Sequence, residues 1–306
     1  MLHTAARHGL PDLATDALRV LKLLGATWQE HHFAPLIEAF CRANNLKDAL
    51  VTLDIMRSND IEPLTQTALP ILNAISRDVD VVDTTWAVID EMHKEKKRID
   101  VSALNVIVQA SVILGDLQRA VGTYKSYSDY GVKPNLDTFN FLLEGCISSS
   151  HRELGDLLLV EMKEEKIKPD RDTYKNMILL CLTQDTYEDA FFYLEEMKAG
   201  NQVPPLRVYE ALVRKCASVG DSRCHIAIAE IEGCGYEVDP RLLYEVKNAV
   251  SHRPKETKNL NDTSFSGPAN GSVGLDGAAQ RFIETGGLAG MGTAGDGCVD
   301  SGDTVG

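Results

Sequence analysis

The sequence has little of several things, and each shortage narrows the field. Aromatic residues make up 6% of its 306 residues, with two tryptophans. No apolar run reaches the roughly eighteen residues of a membrane helix; stretches such as 177–182 are short and sit inside a periodic pattern, so no membrane span is expected. Positive charge is in deficit, 31 Lys and Arg against 45 Asp and Glu, for a net charge of −14. That argues against a protein built mainly to neutralise phosphates, because non-specific nucleic-acid affinity comes from Lys and Arg. Seven cysteines without a CxxC pair do not make a disulfide scaffold, and they suit a reducing compartment. His31-His32 and Cys224-His225 lack a second ligand pair at suitable spacing, so no metal is expected. There is no P-loop, no Gly-x-Ser-x-Gly elbow and no His-x-Glu with CxxC, so neither catalytic residues nor a cofactor are expected. The first 22 residues mix Arg7, Arg19 and Lys22 with Asp12 and Asp16 and carry no clean targeting signal.

What is present is a repeat. Val132-Lys133-Pro134-Asn135 is followed 35 residues later by Ile167-Lys168-Pro169-Asp170, and after another 35 by Val203-Pro204-Pro205; Ile61-Glu62-Pro63 is similar. Proline fixes φ and disfavours helix in the residue before it, so each turn marks a stop between helices. Cutting there gives units 101–135, 136–170, 171–205 and 206–240, preceded by 66–100 and 30–64 with Thr65 between them. The first half of each unit carries one apolar stripe. Its members are Leu104, Ile107 and Val108; Phe139, Leu142, Leu143 and Cys146; Tyr174, Met177, Ile178 and Cys181; and Tyr209, Leu212, Val213 and Cys216. The i, i+3, i+4, i+7 spacing is one face of an α-helix. Cys146, Cys181 and Cys216 fall one period apart in the stripe, which points to an apolar packing role.

The second half of each unit has its own register. A small residue recurs as Ala49, Ala120, Gly155 and Ala190, and seven places later comes Met56, Tyr127, Met162 or Met197. One unit cannot bury both faces, but stacked neighbours can. The reading is an all-α, right-handed α-solenoid of helix-turn-helix repeats over residues 1–250. Residues 1–29 form a partial unit and 241–250 a capping helix. The segment 251–306 is a Gly/Ser-rich tail: 12 of the 23 glycines lie from Pro254 onward with no sustained apolar period, so it is expected to be disordered, with at most a transient helix at 278–283.

The 35-residue period, the Phe-Asn or Tyr near a unit's start, the Glu-Met pairs at 91–92, 161–162 and 196–197, and the closing Lys-Pro-Asn or Lys-Pro-Asp resemble pentatricopeptide (PPR) repeats. Tetratricopeptide repeats run at 34 residues with a Trp-Leu-Gly-Tyr pattern that these units lack. The resemblance covers about residues 1–250. It implies a mitochondrial or plastid protein that binds single-stranded RNA, one base per repeat, on a concave surface lined by the first helices. In that family the fifth and last residues of a unit read the base. Unit 101–135 supplies Asn105 and Asn135, a pair the family associates with cytosine; unit 136–170 supplies Asn140 and Asp170, associated with uracil. The other pairs do not fit: Ala34 with Leu64, Pro70 with Asp100, Lys175 with Pro205 and Glu210 with Pro240. The second place, often an apolar wedge, holds His31, Thr67, Ser102, Asp137, Asp172 and Arg207. The thirteenth, often a phosphate-binding lysine, is basic only at Arg42.

Asn135 and Asp170 also suit a plain capping role before the next helix. The run Lys94-Glu95-Lys96-Lys97-Arg98 is either a solvated helix end or a phosphate contact. Two functions follow. One is a mitochondrial RNA-binding adaptor, without catalysis of its own, acting in RNA processing, stability or translation. The alternative is a protein-interaction solenoid with ribosomal or other protein partners, which the acidic charge and the unmatched pairs favour.

Overall fold

A computed structural model describes residues 1–251, and every regular element among them is a helix. In chain order these are α1 (Leu2–His8), α2 (Pro11–Leu23), α3 (Glu30–Arg42), α4 (Leu46–Ser58), α5 (Thr65–Ile75), α6 (Val79–Lys94), α7 (Val101–Ile113), α8 (Leu117–Lys125), α9 (Leu136–Ser148), α10 (Arg152–Glu164), α11 (Arg171–Leu182), α12 (Glu188–Ala199), α13 (Leu206–Val219), α14 (Arg223–Gly233) and α15 (Pro240–Ser251). A 3₁₀ turn, Tyr127–Tyr130, prolongs α8. The tail expected from the sequence, with its segment 278–283, lies outside the described residues.

Each connection is short, so α1 packs on α2, α3 on α4, and so on through α13 on α14. The first helices of the pairs also stack on one another in order, from α1 through α3, α5, α7, α9, α11 and α13 to α15. The second helices form an outer layer with much sparser mutual contact. This is an α-solenoid: each first helix meets its own partner and the first helix of each neighbour, and the buried apolar residues form two clusters along the stack, one from α1 to α11 and one from α11 to α15.

Local chemistry starts and stops these helices. Asn45, Asp78, Asp100, Asp116, Asn135, His151 and Asp170 are N-caps whose side chains accept a backbone N–H of the first turn. The outer helices end on a left-handed residue that recurs along the chain as Asp60, Lys96, Gly131, Lys166, Asn201 and Gly235. Just beyond it the chain closes back; after α10, the Ile167 N–H donates to the Met162 carbonyl at 2.9 Å, which ends the helix cleanly.

The periodic residues are the core. Cys146, Cys181 and Cys216 are fully buried, and burial pushes the first two thiols up to about 12 and the third to about 11, which leaves them inert. Ala49, Ala120 and Ala190 are buried, as are Met56, Tyr127, Met162 and Met197. Gly155 shows why its place is small: a Cβ there would collide with Leu180 of α11. In α6 the equivalent place is taken by buried Thr85, whose hydroxyl donates to the Val81 carbonyl at 2.8 Å.

One boundary differs from the sequence reading. Thr65 does not separate two units; it is the first residue of α5. The repeat therefore begins one residue earlier. Its fifth residue is Leu69 instead of Pro70, its second is Gln66 instead of Thr67, and its thirteenth is Arg77 instead of Asp78. The physical reason is the cap: the Leu64 N–H donates to the Thr67 hydroxyl, which makes Thr67 the third residue of the helix. Pro70 sits inside α5 and Pro35 inside α3, both past the first turn, where neither interrupts the helix.

Candidate nucleic-acid interface

Asn135 and Asp170 cap α9 and α11. Three residues on, the Thr138 and Thr173 N–H groups donate to the cap Oδ1 at 3.1 and 2.8 Å, and the threonine hydroxyls accept the cap N–H groups at 3.1 and 3.2 Å. These capping boxes are written locally as Asn-x-x-Thr and Asp-x-x-Thr. The longer-range contacts are not local. The Thr138 hydroxyl lies 2.7 Å from Asn105 Oδ1, and the Thr173 hydroxyl 2.8 Å from Asn140 Oδ1, each in the first helix of the preceding repeat. Asn105 Nδ2 donates to Asn135 Oδ1 at 3.0 Å, and Asn140 Nδ2 to Asp170 Oδ1 at 3.2 Å. All four predicted site residues are therefore brought together in two matching clusters, one repeat apart.

Counting lone pairs assigns the protons. Each cap Oδ1 already accepts a threonine N–H and an asparagine N–H, which fills it. The threonine hydroxyl proton then belongs to Asn105 Oδ1 or Asn140 Oδ1. Asn105 Oδ1 receives a second proton from the Tyr127 hydroxyl at 2.8 Å. Asn105 and Asn140 are 4% and 8% exposed, while Asn135 and Asp170 are half-buried. Among the described residues, Asn135 Nδ2 and Asp170 Oδ2 make no hydrogen bond. The first cluster thus offers only donors, an amide N–H of Asn105 and the amino group of Asn135. The second pairs a donor, an amide N–H of Asn140, with an acceptor, the free oxygen of Asp170.

The surroundings are acidic. Asp137, the second residue of α9, reaches the Thr65 hydroxyl at 3.4 Å, so the starts of α5 and α9 approach each other across that of α7. Burial raises the Asp137 pKa above the ordinary carboxylate value, and the charges of Asp170, Glu62 and Asp172 raise it further against the Thr65 hydrogen bond. Glu144, two turns along α9, is also raised, by burial first and then by Asp172, with Lys175 and Arg207 opposing.

The remaining pairs have no such geometry. The Asp100 carboxylate is 5% exposed, caps Ser102 at 2.9 Å and is ion-paired with Arg57, so it faces inward. Lys175 is paired with Asp172 at 2.7 Å and Glu210 with Arg214 at 3.6 Å. Leu64 and Leu69 are exposed apolar groups. In the run 94–98, Lys94 pairs with Asp90 at 2.7 Å and Lys97 with Glu95 at 2.9 Å, while Glu95 also binds Lys47 of α4, an outer helix, at 2.8 Å. Two basic residues do share the inner layer. Arg42 and Arg77, both thirteenth in their repeats, line a cleft of about 620 Å³ between α3 and α5, with Gln66, Leu69 and Asn73 on the same wall. Arg42 touches Glu38 at 2.8 Å, and Arg77 Nε donates to the Asn73 carbonyl at 3.2 Å. His32 is a cap: its Nδ1 accepts the Gln29 N–H at 3.1 Å. No cluster of three or more metal-binding side chains occurs among the described residues, and no helix there is long and apolar enough to cross a membrane.

Residues 1–127 match a family model described as pentatricopeptide repeat-containing protein. Over those residues the likeness is to pentatricopeptide repeats. Solved structures of the same fold include the pentatricopeptide repeat protein PPR10, from maize, in complex with an 18-nucleotide psaJ RNA element. It is 18% identical with a TM-score of 0.51, over 81% of this chain and 36% of that one. Another is the pentatricopeptide repeat domain of Arabidopsis thaliana protein-only RNase P 1 in complex with tRNA, 16% identical with a TM-score of 0.50, over 59% of this chain and 95% of that one. The chain therefore spans about a third of PPR10 and nearly all of the RNase P repeat domain, and the shared feature is the pentatricopeptide repeat fold. No curated protein matches the sequence.

Proposed function

We propose that this pentatricopeptide repeat chain binds single-stranded RNA on its inner layer of helices, reading two adjacent bases, cytosine with Asn105 and Asn135 and uracil with Asn140 and Asp170. The observation that carries this is the pattern of free atoms. The Watson–Crick edge of cytosine presents two neighbouring acceptors, which the donor-only cluster complements. Uracil presents an N–H beside carbonyl oxygens, which suits the free Asp170 oxygen next to the Asn140 N–H. Simple capping would leave the fifth residues unconstrained, yet Asn105 and Asn140 are each tied to the cap that follows them. The RNA in the PPR10 complex and the tRNA in the RNase P complex agree in ligand class.

Two pockets are not enough for tight binding. A good base contact contributes about 1–3 kcal/mol, whereas micromolar affinity requires about 8 kcal/mol. Arg42 and Arg77 supply part of the rest as phosphate contacts, one repeat apart. Further contacts come from partners or from additional repeats. We place the protein in the mitochondrion, in RNA processing, stability or translation, on the strength of the family resemblance; fractionation of cells carrying a tagged chain tests the location.

Binding of the full chain to short RNAs that vary two adjacent bases tests the reading. A preference for cytosine followed by uracil supports it; equal binding to all sixteen steps overturns base reading. The second reading, a protein-binding solenoid, is favoured by one observation: Leu64 and Leu69 expose apolar surface where a base-reading repeat would carry polar groups. A protein partner that stays bound after nuclease treatment and is lost on Leu69→Glu would support it.

A further inference from the structure

We propose that Tyr127, on the outer helical layer, is a positioning residue that commits Asn105 to its donor role and so sharpens the choice of cytosine over uracil in repeat 101–135; the inference rests on the RNA reading above.

Tyr127 stands seven places after the small residue Ala120, where other repeats carry Met56, Met162 and Met197. All of these side chains are buried. A thioether fills the space but cannot donate a proton. Tyr127 fills the same space and sends its hydroxyl through the core to Asn105 Oδ1 at 2.8 Å. It is the one residue of this series that touches the fifth position of its own repeat with a polar atom. The neighbouring pocket works without such a group, since Asn140 Oδ1 meets only the Thr173 hydroxyl among the described residues.

The consequence follows from donor and acceptor counting. With Tyr127 and Thr138 both donating, Asn105 Oδ1 is filled, and the amide nitrogen is committed to the side of Asn135, to which it donates. If the amide turned over, Asn105 Oδ1 would meet Asn135 Oδ1 with no proton between them. The buried phenol proton would lose its acceptor as well, a cost borne only in this repeat. The turned state is the one that would show uracil's N–H an acceptor. Burial raises the Tyr127 pKa far above the ordinary phenol value, so the proton is present at any physiological pH. Aromatic contacts hold the ring itself: Tyr124 lies 6.0 Å from it, centroid to centroid, and 5.7 Å from Phe139.

The test uses Tyr127→Phe, which removes one oxygen, and Tyr127→Met, which installs the residue that neighbouring repeats already accommodate. Binding of the full chain is measured against RNAs with cytosine or uracil at the first base and, separately, at the second. The cytosine preference at the first base is expected to fall about fivefold in both variants, the equivalent of about 1 kcal/mol. The preference at the second base, read by Asn140 and Asp170, is expected to stay unchanged, which a general loss of folding would not allow. Without RNA, the Asn105 side-chain amide protons, seen by NMR, should exchange with solvent faster in both variants than in the wild type. Unchanged discrimination with unchanged amide exchange overturns the role of Tyr127 alone, as does an equal loss at both bases. A wild type that binds none of these RNAs overturns the reading on which the inference rests.

Discussion

Asn140 donates its amide N–H to Asp170 Oδ1 at 3.2 Å, across 30 residues of sequence, and leaves the second carboxylate oxygen free. Asn105 and Asn135 make the same bond one repeat earlier at 3.0 Å and leave an amino group free instead. The two pockets share a frame and differ in one outward atom.

That difference is exchangeable. In Asp170→Asn, Oδ1 still caps the Thr173 N–H, as Asn135 already caps Thr138, so stability should change by less than about 0.5 kcal/mol. The outward group becomes a donor. Preference at the second base should move from uracil to cytosine by about tenfold, a shift of about 1.4 kcal/mol, read by equilibrium binding to RNAs that differ at that base.

Thr173→Val keeps the shape and removes the hydroxyl that joins two repeats. Asn140 Oδ1, in a residue 8% exposed, loses its donor, and the Asp170 N–H loses its acceptor. Leaving buried polar groups unpaired costs about 1–3 kcal/mol. Denaturant unfolding should show a loss in that range, and a smaller one for Thr138→Val, because Asn105 Oδ1 keeps the Tyr127 hydroxyl as a donor.

Acidity on the inner face should show in pH dependence. Asp137 and Glu144 hold their protons at higher pH than ordinary carboxylates, because burial disfavours their charged forms. The folded state therefore binds protons more tightly than the unfolded one at these sites. Their contribution to stability grows as pH falls from neutral toward the ordinary carboxylate range. Over the same interval the face loses negative charge, so RNA affinity should rise as pH drops from neutral toward the ordinary carboxylate range. Asp137→Asn combined with Glu144→Gln should bind more tightly at pH 7, by about twofold for each charge removed at roughly 8 Å from phosphate in water, and its affinity should vary less with pH.

Packing gives a prediction independent of ligand. Gly155→Val forces a branched side chain against Leu180, which is fully buried between α10 and α11. Overpacking of this kind costs about 1–3 kcal/mol, and thermal unfolding should record it as a lowered Tm.

The proline turns and the apolar stripes made the repeats legible, because both signals recur every 35 residues within one helix pair. The four candidate site residues stood out only through the family pattern. What escaped was whatever joins one repeat to another. Asp100 holds the last place of its repeat in sequence, and nothing local shows that Arg57, 43 residues away, turns it inward. Thr138 and Thr173 announce themselves as caps, yet their bonds to Asn105 and Asn140 cross 33 residues and leave no local trace. Tyr127 sits in a series otherwise made of methionines and reads as one more core residue until its hydroxyl is followed to Asn105. The Thr65 boundary was hidden because α5 starts one residue before its 35-residue place, and moving it brings Arg77 into line with Arg42.

The most direct measurement is selection of RNA from a random single-stranded pool by the purified full chain, with sequencing of what is retained. The account predicts enrichment of a cytosine–uracil step, lost when Asn105 and Asn140 are both replaced by alanine. Retention no greater than that of an unrelated acidic protein, or enrichment that survives the double replacement, would contradict it.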